Sequence, residues 1–276
     1  MATSDFSVTI GQPTLVAPET PTPHEFKYLS NIDDQMGLRN HIPFIHVYRR
    51  PQNGPGCDPG PIIHQALSRA LIHYYPLAGR LRNGGKEKLV VECTGEGMVY
   101  RDADADVTIE LLRKANGGIR PPFRHLDRFL VNDVWGCNSI INSPLLRVQV
   151  LVHCIGARPM NLLDFVSSTV DFIEVNGRRG FCSGLAALVV SDMSRLRFAD
   201  VDFGWGLGIY GGPARAGTGA VPGMVTSLVG YRREEDDREG LLALVSLPRE
   251  AVVAFHREVR KIVMDGFAPE PVRSAL

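Results

Sequence analysis

Asp202-Phe203-Gly204-Trp205-Gly206, closed by Tyr210-Gly211-Gly212-Pro213-Ala214, gathers one of the chain's two tryptophans and five of its glycines into a short stretch. A large apolar ring framed by residues without a Cβ predicts a turn whose backbone is held close to its neighbours. On physical grounds this is a packed structural corner, and it specifies no reaction. Downstream, residues 225–231 and 241–247 read as strands, with the charged run 232–239 as a solvated hairpin loop between them. Residues 249–264 then present Val252, Phe255, Val259, Ile262 and Val263 along one helical face. Upstream lie a strand over 186–190 and a helix over 162–175, the latter closed by Asn176-Gly177.

The first half carries matching signals. Residues 11–23, rich in proline and threonine, read as an extended surface lead-in. Residues 44–48 alternate as a strand does. Residues 60–75 repeat Ile63, Leu67 and Leu71 at helical spacing, with Pro61 at the start and Pro76 beyond the end. Turns at Asn83-Gly84-Gly85 and Gly95–Gly97 precede strands over 88–92 and 98–101, and 145–152 is a further apolar strand. The fold class is therefore mixed α/β.

Lys plus Arg equals Asp plus Glu at 30 each, so no global field draws the chain to nucleic acid or to an anionic membrane. No apolar run approaches the roughly 20 residues that span a bilayer. The amino terminus lacks the basic and apolar regions of a signal peptide, and a cytoplasmic location is expected. The five cysteines (57, 93, 137, 154 and 182) form no Cys-x-x-Cys pair and no zinc spacing. Free thiols and no metal are expected.

The corner at Asp202–Gly206 resembles the carboxy-terminal signature of the plant BAHD acyltransferases, and other stretches agree. Pro21-Thr22-Pro23-His24-Glu25-Phe26 through Asp33-Asp34-Gln35 is similar to the opening of the benzyl alcohol benzoyltransferase-type branch. Tyr74-Tyr75-Pro76-Leu77-Ala78-Gly79-Arg80-Leu81 and Ser143-Pro144-Leu145-Leu146-Arg147-Val148-Gln149-Val150 also match that family's first half. The resemblance implies the two-domain chloramphenicol-acetyltransferase-like fold, with acyl-CoA as co-substrate, no tightly bound cofactor and a small alcohol as acceptor. Family members are usually monomeric.

It also implies a His-x-x-x-Asp motif soon after Val150, whose histidine takes the proton from the acceptor alcohol. An imidazole suits that task because its unperturbed pKa of about 6.5 leaves much of it neutral near pH 7. None of the eight histidines has an aspartate four positions later; His153, the nearest to the expected place, is followed by Ala157. Text similar to the family's first half runs to Val150, and text similar to its late second half begins near Met160. The chain is thus read as residues 1–150, a remnant of the amino-terminal domain, a junction at 151–159, and residues 160–276, a remnant of the carboxy-terminal domain. The fold is accordingly expected to be an incomplete version of its family's, with unpaired sheet edges through which aberrant association would occur.

His153 is the one candidate for a replacement base, set against the reading of a partly exposed strand-end histidine. Adjacent His153 and Cys154 would point apart along a strand, which disfavours a Cys–His pair. Gly206-Leu207-Gly208-Ile209-Tyr210-Gly211 spells Gly-x-Gly-x-x-Gly, but Pro213 follows where a nucleotide-binding helix would begin. By analogy with the family, Asp202, Phe203, Gly204, Trp205 and Gly206 keep the second half in shape, with Asp202 accepting hydrogen bonds. Ser191, Asp192 and Arg195 match a strand end that borders the substrate channel.

Overall fold

A computed structural model describes residues 6–31, 33–35, 39, 41–49, 58–86, 88–123, 125–130, 139–152, 157–160, 189–204, 206–217, 225–232 and 238–265. In chain order the first strands are β1 (Val8–Ile10), β2 (Thr14–Val16), β3 (Phe26–Tyr28) and β4 (Phe44–Arg49). Helix α1 (Pro59–His73) follows, capped by Asp58, whose carboxylate accepts the Gly60 N–H at 3.0 Å. Next come β5 (Arg80–Asn83), β6 (Leu89–Glu92) and β7 (Met98–Ala105). Helix α2 (Ile109–Asn116) begins at Thr108, which accepts the Leu111 N–H, and stops at Gly117 in the left-handed region. The single turn α3 (Leu126–Phe129) precedes β8 (Arg147–Val152) and β9 (Ala157–Met160). Strands β10 (Val189–Met193), β11 (Gly208–Pro213), β12 (Val225–Arg232) and β13 (Glu239–Leu244) lead to helix α4 (Arg249–Asp265).

These strands form four sheets. β7 is paired on one side by β1 and β2, both antiparallel, and on the other by β8 in parallel. β3, β6 and β5 make a second, antiparallel sheet. β10, β12 and β13 make a third, parallel then antiparallel. The fourth joins sequence-distant pieces: β4 lies between β11 and β9, antiparallel to both, with Ile45 opposite Gly212 and His46 opposite Gly211 and Met160.

The core follows from this pairing. One face of β4, through Ile45 and Val47, enters a buried cluster with Ala103, Ala105, Ile109, Ile119, Leu151 and Tyr210. Helix α1 sets Ile63 and Leu71 against Val16, Met98, Tyr100, Val148 and Val150. Three expectations change. The lead-in 11–23 contains β2, whose Val16 is fully buried. The glycine-rich corner contains a strand, β11. The strand begun at Met98 runs on to Ala105, because Ala103 and Ala105 fill the core opposite Leu151. The helix read over 162–175 lies outside the described residues.

Candidate functional site

Along β4, Phe44, His46 and Tyr48 point to one face, as period-two alternation requires. That face is covered by a strap from the second half of the chain, a single 3-10 turn (Phe198–Asp200) and the loop that follows it. The Phe198 ring sits 5.5 Å from Phe44 and edge-on to His46 at 6.0 Å. Phe203 meets Tyr48 edge-on at 5.7 Å. The strap lies so close that a Cβ on Gly211 would fall 2.7 Å from the Phe198 backbone carbon, so only glycine fits at that place in β11.

The loop's own pattern has a local cause. The Asp202 carboxylate accepts the N–H of Gly204 at 2.7 Å and of Gly206 at 2.9 Å. Both glycines are left-handed, at φ 93° and 96°, a conformation that favours residues without a Cβ. Asp202 thus holds the backbone of the corner through its two glycines, and its charge lies close enough to the Tyr48 phenol to push that group's pKa up further, beyond the effect of burial. Trp205, His153 and Cys154 lie outside the described residues.

Ser191 and Asp192 stand in β10, opposite Ser227 and Leu228 of β12, and Arg195 follows in the turn that leads into the strap. The Asp192 carboxylate accepts the Ser194 N–H at 2.9 Å, and its hydrogen bonds to Ser194 lower its pKa. Met193 packs with Phe44, Phe198, Val229 and Leu244, so β10 and the strap share one apolar cluster. The structure therefore brings 191–195 and 202–206 to the two ends of one segment.

The residue that sequence reasoning passed over is His46. It is fully buried, and neither ring nitrogen reaches a hydrogen-bond partner at normal geometry. Its ring stacks on Tyr48, 6.4 Å between centroids with planes 12° apart. Burial lowers its pKa to about 4, with the Phe198 backbone pulling slightly the other way. A histidine between Ile45 and Val47 on a strand was the available signal, since it must share a face with Phe44 and Tyr48. An imidazole this weakly basic and this enclosed is a poor proton acceptor near pH 7. Among the described residues no group of three His, Cys, Asp or Glu side chains is placed to hold a metal ion, and no helix is long and apolar enough to cross a membrane.

Comparison with known proteins gives a consistent answer. The family model described as "Transferase: Transferase family" matches residues 6–156 and 160–262, breaking where β9 begins. The chain is 48% identical over 145 residues to 13-hydroxylupanine O-tigloyltransferase of Lupinus albus, covering 52% of this chain and 31% of that protein. Benzyl alcohol O-benzoyltransferase of Petunia hybrida is 46% identical over 145 residues, with the same coverage. (Z)-3-hexen-1-ol acetyltransferase of Arabidopsis thaliana is 47% identical over 152 residues, 55% of this chain and 33% of that protein. The chain thus spans about a third of the length of the curated relatives it matches.

The crystal structure of vinorine synthase superposes with a TM-score of 0.60 at 14% identity, covering 90% of this chain and 96% of that one. This likeness establishes the fold, a mixed α/β architecture of the chloramphenicol-acetyltransferase-like kind. With the family matched on both sides of residues 157–159 and the fold shared, the chain belongs to the transferase family of BAHD acyltransferases.

Proposed function

We propose that this chain carries the framework of an acyl-CoA-dependent O-acyltransferase for an alcohol acceptor and that it does not turn over. In the intact reaction a base takes the hydroxyl proton as the oxygen attacks the thioester carbonyl. The tetrahedral oxyanion then collapses, the C–S bond breaks, and the CoA thiolate leaves and recovers the proton. The observation that carries the reading is the family match on both sides of 157–159, in a sequence with no histidine four residues before an aspartate. His46 offers no substitute, being enclosed and weakly basic. Loss of a general base alone costs on the order of a hundred- to ten-thousandfold in rate.

The test is incubation of the purified chain with benzoyl-CoA and benzyl alcohol, beside a heat-killed control. The expected result is no ester above the control; benzyl benzoate above it would overturn the reading.

A second reading, a noncatalytic chain that binds an intact relative, is favoured by the carboxy-terminal surface. Among the described residues β13 and β10 are the edges of their sheet, and Leu241 on the one and Val190 on the other are exposed. Much of α4 is exposed too, Val253 and Ile262 by more than 70%. Sheet edges invite pairing with another sheet, and on these two one carboxylate each, Asp192 and Glu239, stands beside the apolar positions. Co-purification of this chain with a full-length relative, lost on Leu241→Lys, would support that reading.

A further inference from the structure

The junction between the two halves holds a titratable group in an apolar seat. We propose that His46 is an acid-sensitive latch, and that uptake of a proton by its ring releases the strap, residues 197–204, from β4. The seat receives a charge poorly, because burial outweighs the one favourable pull, that of the Phe198 backbone. Phe198 closes one side of the ring, Tyr48 stacks beside it, and Gly211 stands opposite on β11 with no polar side chain. The charged groups of the strap are already engaged: Arg197 and Asp200 pair at 2.5 Å, and the Asp202 carboxylate holds the Gly204 and Gly206 amides. On β4 the neighbouring ionisable residues are Tyr48, on the same face, and Arg49, which alternates to the opposite one; in the register of β9 Arg158 pairs with Tyr48. Tyr210 of β11 is turned to the other core, where its hydroxyl donates to the Pro213 carbonyl at 2.7 Å.

An imidazolium formed here would have only the Phe198 backbone drawing it, a pull that burial outweighs, so water must reach it. β4 is fixed on both sides by sheet ladders, whereas the strap is one 3-10 turn and a loop. Lifting Phe198 is the shortest route by which water arrives. The ring's pKa is depressed to about 4 in the closed state and returns toward about 6.5 once the ring is wet. The closed state is therefore fully favoured above about pH 6.5 and is weakened progressively as pH falls toward 4. An apolar ring at position 46 would fill the same space without this dependence.

The experiment is hydrogen exchange of the full chain at pH 7.5 and pH 5.0, followed peptide by peptide and corrected for intrinsic rates. For the wild type, opening of peptides spanning 197–212 is expected to be favoured by about thirtyfold at the lower pH, the factor set by those two pKa values. Protection in α1 should be unchanged. His46→Phe should abolish the acid response of 197–212, and His46→Gln, which keeps a polar group without titrating, should do the same if the phenylalanine variant folds poorly. His41, also lowered by burial and by Arg147, lies beside Pro144, so any acid response that survives in the variants should map there. An equal acid response of 197–212 in wild type and variants would overturn the proposal, as would a loss of protection spread evenly through α1 and β7.

Discussion

Strand β4 and helix α4 each present an apolar face, yet among the described residues only that of β4 is covered. Phe44, His46 and Tyr48 lie under Phe198 and Phe203, and Ile45 and Val47 are buried on the opposite side. On α4, Val252, Phe255, Val259, Ile262 and Val263 repeat at helical spacing and all remain exposed to a third or more. Amphipathic pattern is thus necessary for burial and not sufficient; a partner element must exist to receive the face. The strand found its partner in a segment more than 150 residues away, because glycine at 211 lets the strap settle against the sheet.

The difference predicts unequal responses to substitution. Phe198→Ala empties the contact between strap and β4 and should cost about 3–5 kcal/mol in a denaturant titration, the usual range for removing a buried aromatic ring. A cost under about 1 kcal/mol would mean that the strap contributes little. Asp202→Ala removes the acceptor of two amides but in an exposed corner, so about 1 kcal/mol is expected by the same titration. Val253→Lys on α4 should fall within about 0.5 kcal/mol of the parent, because its side chain is 74% exposed. A large loss at Val253 would show that α4 is covered in solution and would erase the contrast with β4.

Much of the first half could be read from sequence because its signals are local. Asp58, Pro59 and the Ile63–Leu67–Leu71 spacing specify α1 within a few residues of its observed ends. Asp202, Gly204 and Gly206 were legible as a corner but not as a packed one: it is exposed, with nothing within 4 Å of a Cβ at either glycine, and the glycines serve its left-handed backbone. β11 was hidden, since glycine and proline fill four of its six positions and neither favours a strand interior. Its pairing with β4, and the close approach of Phe198 to Gly211, are contacts that no local window contains. β9 falls where the family match breaks, and its place beside β4 is likewise a property of the assembled sheet. His46 escaped for a related reason: the sequence gives its strand, whereas its lack of partners depends on what folds over it.

The claim beneath all of this is that the second half completes the sheet of the first through β11 and β4. Nuclear Overhauser contacts across that seam in an isotopically labelled sample test it most directly. The account predicts backbone cross-peaks between Ile45 and Gly212 and between Val47 and Tyr210, in the register of the antiparallel pair. Their absence from a folded sample, or cross-peaks linking β4 to a different strand in place of β11, would contradict it.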